Sequence, residues 1–103
     1  MKKESTWSKV VAAINEYENG EFIRRRELLK KIGKCNEYTF DFYRLGLTHI
    51  GVLKHISRAT YKKNCNIPET FTSSKLHLLE NELRWKKSWK DWFMNLEDRM
   101  RSI

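Results

Sequence analysis

The sequence has few of the residues that break or cross-link a chain: one proline, four glycines and two cysteines among 103 residues. With 40% hydrophobic residues, this composition argues against a disordered or low-complexity chain. No run approaches the roughly 18 apolar residues of a membrane span, and the basic start, MKKESTWSKVV, develops no signal-peptide stretch. We therefore expect a cytoplasmic protein without membrane contact.

The two cysteines do not suggest cross-linking. Cys35 and Cys65 are 30 positions apart and form no CxxC pair, so free thiols in a reducing compartment are the simplest interpretation. Together with His49 and His55 they could supply four zinc ligands, but their spacing matches no familiar structural site. We expect no metal and no cofactor.

Catalytic patterns are also missing. The sequence contains no Ser-His-Asp order, no paired catalytic carboxylates and no phosphate-binding loop. A mainly helical chain of 103 residues also offers little room for a deep pocket. We expect a protein that is not an enzyme and has no catalytic residues.

The positive charge is concentrated in one segment. The net charge of +8 arises because residues 24–67 hold eleven basic and three acidic side chains, net +8, whereas residues 1–23 carry −1 and residues 68–103 carry +1. A localised cationic surface attracts phosphate polyanions by releasing their counterions. A surface that serves only solubility has no need for such clustering.

Periodicity predicts two helices in the first third of the chain. Ser5 or Thr6 can cap a first helix with one apolar face: Trp7, Val10, Val11, Ile14 and Tyr17. Asn19-Gly20 predicts a turn, and Phe22-Ile23 is long enough for only one extended step. The run RRRELLKKIG predicts a second helix that buries Leu28, Leu29 and Ile32 and ends at Gly33.

A third helix follows, capped by Asn36 and ending near His49, with Gly51 releasing the chain. Its buried stripe has members three or four residues apart: Phe40, Tyr43, Leu47 and Ile50. Residues 52–57 and 61–67 then predict a hairpin around Arg58-Ala59, which Pro68 ends. Ser73 or Ser74 can cap a long amphipathic helix over residues 74–101, about 40 Å in length.

The order of helix, extended step, helix, turn, helix and hairpin resembles a winged helix-turn-helix domain. Thr39, Tyr43, Leu47 and the run from Ile50 to Leu53 are similar to the family's third helix and its exit, and residues 54–62 resemble its wing. The resemblance covers about residues 7–68. It implies a mainly α fold with a small β-hairpin over residues 1–70, with the C-terminal helix as an addition.

The resemblance also implies double-stranded DNA as a partner. In the family the third helix enters the major groove, while the wing and the helix ends contact phosphates. Backbone contacts are therefore expected from the second helix and the hairpin, with limited base reading near Asn36, Arg44 and Thr48. The candidate DNA-binding residues are Arg24, Arg25, Arg26, Lys30, Lys31, Lys34, Asn36, Arg44, Thr48, Lys54, Arg58, Lys62 and Lys63. A nucleoid-associated regulator or accessory replication protein of a bacterium, phage or mobile element fits this size.

The outward side of the third helix does not suit base reading. Tyr38, Asp41 and Leu45 should face outward with Phe42 beside them, and Asp41 would repel phosphate. Exposed apolar groups on a helix normally meet a partner, so Tyr38, Phe42 and Leu45 are candidates for a protein contact. The alternative is an error of one position in the helical phase.

The C-terminal helix suggests an interface. Its tryptophans, at steps of four and three, favour a packing seam over an aromatic ligand site. The candidate interface residues are Leu76, Leu79, Leu83, Trp85, Trp89, Trp92, Phe93 and Leu96. A homodimer, a partner of different sequence, and a helix that folds back on its own domain all remain open.

Two further functions stay open beside duplex binding. The fold could serve as a scaffold for protein interaction, with the basic surface meeting an acidic partner. RNA or single-strand binding through Tyr61 and the basic hairpin is the other alternative.

Overall fold

The computed structural model describes residues 5–85 and 96–102, without the side chains of 83–85 and 102. In these ranges the chain is mainly helical with one three-stranded antiparallel sheet. The elements in chain order are α1 (Thr6–Asn15), β1 (Phe22–Arg24), α2 (Arg25–Ile32), α3 (Glu37–Ile50), β2 (Leu53–Ser57), β3 (Thr60–Lys63), α4 (Ser73–Trp85) and α5 (Leu96–Ser102).

Helix α1 begins where the Ser5 hydroxyl accepts a hydrogen bond from the Ser8 N–H at 3.1 Å, as the capping pattern predicts. Two side chains of α1 form hydrogen bonds with the backbone of the segment that follows the hairpin. The Asn15 amide donates to the Ile67 carbonyl at 2.9 Å and accepts from the Ile67 N–H at 2.8 Å, and the Trp7 indole donates to the Phe71 carbonyl at 3.0 Å. These bonds satisfy backbone groups of a segment that lies outside the sheet.

Helix α3 has the ends that its sequence predicts. The Asn36 side chain accepts from the N–H groups of Tyr38 and Thr39 at 2.9 and 3.3 Å, which confirms the cap. Gly51 ends the helix with φ of 102°, a left-handed conformation that glycine adopts at little cost. Of the predicted inward stripe, Phe40, Leu47 and Ile50 are fully buried, and Tyr43 is half-buried against the same core.

The sheet contains a strand that the sequence predicts only as an extended step. Strands lie in the order β1-β3-β2, so the predicted hairpin is confirmed and β1 pairs with its second strand. That second strand ends at Lys63, however, and does not continue to residue 67 as predicted. Ile23 lies opposite Tyr61, and both are buried on the inner face of the sheet. A strand of three residues leaves little signal in the sequence. Its pairing partner is almost 40 positions later in the chain, so local patterns could not predict the pairing.

The prediction of one long helix over residues 74–101 is wrong for the described residues. Arg99 Nη1 lies 3.1 Å from Glu82 Oε1, whereas a straight helix would separate these residues by about 25 Å. Helices α4 and α5 therefore lie beside each other. The start also differs, because the Thr72 hydroxyl, one residue before the predicted caps, accepts from the Lys75 N–H at 3.3 Å.

The C-terminal helices belong to the same core as the rest of the described chain. Leu76 and Leu79 of α4 and Leu96 and Met100 of α5 are buried in one cluster with residues of α1, α3 and the sheet. A single core of this kind joins α4 and α5 to the domain predicted over 1–70. None of the helices within 5–85 and 96–102 combines the length and apolarity needed to cross a bilayer.

The close packing of α3 on α4 depends on Gly46. A Cβ atom at this buried position would lie 2.8 Å from Leu76 Cδ2 and 2.5 Å from Glu80 Oε1. We predict that Gly46→Leu lowers the free energy of unfolding by about 2 kcal/mol or more, because the larger side chain must push the helices apart. Urea denaturation measures this, with Leu78→Ala on the exposed side of α4 as the control; equal stability of the Gly46 variant and wild type would contradict the packing.

Candidate nucleic-acid interface

Asp41 on α3 binds two arginines at the junction of three elements. Its Oδ1 and Oδ2 accept from Arg25 Nε at 3.0 Å and Arg25 Nη2 at 2.9 Å, a two-pronged ion pair with the first residue of α2. Its Oδ1 also accepts from Arg44 Nε at 3.1 Å, one turn along α3. Arg25 reaches Glu37 as well, at 3.4 Å. Asp41 is therefore neutralised within the chain.

These bonds change the ionisation of the cluster. The hydrogen bond from Arg25 is the main cause that holds the pKa of Asp41 below its ordinary 3.8, and Arg44 adds to it. The same bond raises the pKa of Arg25. Arg44 is further enclosed, because its side chain is only 13% exposed, donates to the Tyr61 hydroxyl and lies 5.1 Å above the Tyr61 ring. Neither arginine is a free surface cation.

Two predicted lysine contacts also have partners inside the chain. Lys31 pairs with Glu16 at 3.1 Å and lies 5.0 Å from the Tyr17 ring, so it links α2 to the end of α1. Lys63 is a correction: it is fully buried, and its ammonium donates to the Tyr17 carbonyl and to Asn66 Oδ1. Burial lowers the pKa of Lys63, and a group in this position cannot reach a phosphate.

The side chains expected to read bases are engaged locally. Asn36 uses its carbonyl oxygen to cap α3, and the Thr48 hydroxyl donates to the Arg44 carbonyl at 2.8 Å. Tyr61 is 6% exposed and hydrogen-bonded to Arg44, so it is not available as the stacking residue that the single-strand alternative requires. Base reading by the Asn36 carbonyl oxygen or the Thr48 hydroxyl hydrogen would require the present bonds to break.

Seven cations of residues 24–67, a segment that the structure describes completely, make no ion pair with a described residue. Six of them are exposed, and Lys62 is half-buried on the central strand. We call these residues the basic surface: Arg24, Arg26, Lys30, Lys34, Lys54, Arg58 and Lys62. The sequence identified all seven, but it could not separate them from the four cations that have partners inside the chain.

Backbone contacts bring the basic surface together from two elements. The Arg25 N–H donates to the Ala59 carbonyl at 2.9 Å, which holds the start of α2 against the hairpin turn. Arg24 lies opposite Thr60 in the sheet, and Arg58 belongs to the same turn. Arg26 and Lys30, four residues apart, share the outer side of α2. Cations at the start of α2 and in the hairpin, separated by up to 38 positions in the sequence, therefore lie on adjoining elements.

The outer side of α3 carries a different chemistry. Tyr38 is 90% exposed, Phe42 52% and Leu45 47%, and their spacing of four and three residues aligns them along the helix. We call these three residues the apolar face. The helical phase predicted from the sequence is thus confirmed. At the edge of the face, the Phe42 ring lies 5.1 Å from the ring of His77 on α4.

The residues predicted for a dimer interface divide into two groups. Leu76, Leu79 and Leu96 are at most 3% exposed and pack in the core of their own chain. The side chains of Leu83 and Trp85, and the residues Trp89, Trp92 and Phe93, lie outside what the structure describes. The three buried leucines are therefore interior residues rather than parts of a surface.

The cysteines and histidines do not assemble into a ligand set. Among the described residues, no group of three or more His, Cys, Asp or Glu side chains could hold a metal ion. Cys35 and Cys65 are free and half-buried. Burial is the main cause that raises the pKa of Cys65 from 9.0 to about 11, so this thiol stays protonated at neutral pH and is a poor nucleophile and metal ligand.

Phe22 is an exposed residue that the sequence did not identify as a candidate. It lies on β1, is 61% exposed and is opposite Lys62 on β3. Only the pairing of β1 reveals which side of the sheet it occupies.

Comparison with known proteins gives no relative: no protein-family model matches the chain, and no curated protein or solved structure is significantly similar to it.

The Asp41 cluster predicts a pH-dependent loss of stability. Because the folded-state pKa of Asp41 is depressed, its contribution is present above the ordinary pKa of 3.8 and is lost as pH falls through the folded value. We expect Asp41→Asn to lower the free energy of unfolding by about 1–2 kcal/mol at neutral pH, since charged hydrogen bonds are lost at a partly exposed site.

Denaturation at several pH values measures the effect, with Glu69→Gln, an exposed carboxylate, as the control. The difference between wild type and Asp41→Asn should shrink at acidic pH. A difference that is the same at neutral and acidic pH would show that ionised Asp41 does not stabilise the junction.

Proposed function

We propose that the chain is a winged helix-turn-helix protein that binds double-stranded DNA mainly through its phosphate backbone. Support for the class comes from the order α1-β1-α2-α3-β2-β3, which follows the helix, extended step, two helices and hairpin of that family. The added helices α4 and α5 complete the core on which α3 rests.

The observation that carries this proposal is the basic surface. Its seven cations come from α2, the residues next to its two ends, and the hairpin, and the start of α2 is joined to the hairpin turn through the bond from Arg25 to Ala59. Because they make no ion pair with a described residue, their charges are available to replace counterions along a phosphate backbone. An electrostatic contact of this kind depends strongly on salt and weakly on base sequence.

The chemistry of α3 supports limited base reading. Arg44 is bonded to Asp41 and Tyr61, Asn36 caps its helix and Thr48 bonds to the backbone. The apolar face offers no hydrogen bonds to the edges of bases, apart from the hydroxyl of Tyr38. We therefore propose that a role in DNA packaging or as an accessory factor fits the site better than recognition of one operator sequence.

We predict that the variant Arg26→Glu/Arg58→Glu loses duplex binding. In a gel-shift titration with random duplex DNA at two salt concentrations, its affinity should fall at least about tenfold at low salt. The magnitude of the slope of log affinity against log salt should fall by about 2, since two phosphate contacts disappear. Both side chains are exposed on different elements, so the fold should survive.

The matched control is Lys9→Glu/Arg101→Glu, which changes the net charge equally but lies on α1 and α5. This control should retain most of the affinity and most of the salt slope. Absence of wild-type binding at low salt would overturn the DNA proposal. Equal losses in both double variants would mean that total charge matters and that the basic surface does not.

A protein-interaction function is the second candidate, and the apolar face favours it. Three large apolar side chains lie exposed along one helix, where they would normally be covered by a partner. Because the basic surface belongs to α2 and the hairpin, a partner on α3 would leave it free for DNA. The simplest partner is a second copy of the chain, which would place two basic surfaces on one particle.

We predict that the wild type is a dimer in light scattering and that Tyr38→Glu/Leu45→Glu is a monomer of 12.5 kDa. Charges at these positions would oppose burial of the face while leaving the core intact. Leu78→Glu, at a leucine of α4 that is 58% exposed, is the control and should remain dimeric. A monomeric wild type would remove the homodimer, and a dimeric double variant would remove the apolar face from the interface.

A further inference from the structure

The outer face of the sheet carries an aromatic side chain and two lysines in one row. Phe22 of β1 lies opposite Lys62 of β3, and Lys62 lies opposite Lys54 of β2. Residues directly opposite each other share a face of the sheet. Because Ile23 and Tyr61 in the neighbouring row are buried, the row of Phe22, Lys62 and Lys54 faces solvent.

The pair of lysines is unfavourable for the chain alone. Like charges directly opposite each other on paired strands destabilise a sheet. Neither ammonium forms an ion pair with a described residue. A lysine on an edge strand can prevent strand pairing between molecules, which accounts for Lys54 but not for Lys62 on the central strand. A bound polyanion would relieve the repulsion at both positions.

Phe22 indicates a second property of the ligand, besides its negative charge. It is 61% exposed on an edge strand, where an apolar side chain costs solubility and offers nothing to a phosphate. Its ring does offer a surface for stacking, and Arg24 lies two residues along on the same side of β1. Cations that hold a backbone beside an aromatic ring that stacks a base are the elements of a single-strand binding site.

A duplex does not match this arrangement, because its bases are already stacked on one another. A single strand has unstacked bases and the same phosphates. We propose that the outer face of the sheet binds single-stranded DNA, with Phe22 stacking on one base while Lys62, Lys54 and Arg24 contact phosphates. The choice of DNA over RNA rests on the proposed duplex-binding function, and the single-strand contact extends that function to an opened or frayed duplex.

Fluorescence-anisotropy titrations of the full chain with a labelled thymidine dodecamer test the proposal. Phe22→Ala should weaken binding of the oligonucleotide at least about 5-fold, the loss expected when one base no longer stacks on an aromatic ring. Its affinity for random duplex DNA should change less than 2-fold. Ile56→Ala, at an apolar residue of β2 that is 44% exposed, is the matched control and should leave both affinities unchanged.

A further variant separates stacking from apolar contact. Phe22→Leu keeps apolar bulk without a ring, so its affinity for the oligonucleotide should fall as in Phe22→Ala. Phe22→Trp keeps an aromatic ring and should retain the wild-type affinity. Thermal denaturation of each variant shows whether a change in affinity follows from a change in folding. Equal binding of the oligonucleotide by Phe22→Leu and wild type would overturn the stacking role.

The outcomes also separate this inference from the duplex proposal. Duplex binding without any binding of the dodecamer would overturn the single-strand site and leave the proposed function intact. Binding of the dodecamer without duplex binding would overturn the proposed function and support the site on the sheet. Tighter binding of a uridine dodecamer of RNA than of the thymidine dodecamer would overturn the assignment to DNA.

Discussion

The contact of Asp41 with two arginines determines how the structure presents its charge. This one carboxylate joins the start of α2, through Arg25, to α3 and, through Arg44 and Tyr61, to the central strand. The second helix, the third helix and the central strand are therefore linked at one point. Since each bond is charged and partly shielded from water, the cluster has a firmer geometry than an exposed ion pair would have.

Partners inside the chain, Asp41 among them, divide the cations of residues 24–67 into structural ones and ones without an ion pair to a described residue. Arg25 and Arg44 stabilise the junction, Lys31 links α2 to α1, and Lys63 supports the hairpin from inside. The remaining seven lie on α2, at its C-terminal end and on the sheet. Because Asp41 is neutralised, α3 has a largely uncharged outer side, and its apolar face differs sharply from the cationic surface beside it. Two neighbouring surfaces of opposite chemistry suit two different partners.

Sequence patterns predicted the local features of this fold well. The stripe of Phe40, Leu47 and Ile50, the Asn36 cap and the Gly51 end of α3 each depend on residues a few positions apart. The features that could not be predicted depend on distant pairings. Strand β1 exists because Ile23 meets Tyr61, and the last helix turns back because Leu96 and Met100 complete the core. Burial of Lys63 likewise follows from the Tyr17 carbonyl, 46 positions away.

We propose that duplex DNA contacts α2 and the hairpin rather than the outer side of α3. The test is nuclear magnetic resonance of the nitrogen-labelled protein, titrated with a short random duplex at low salt. We expect the largest amide shift changes at Arg26, Arg58, Ala59 and Lys62, and we expect them to decrease as salt is added. Changes centred on Tyr38, Phe42 and Leu45, with the hairpin unaffected, would contradict it.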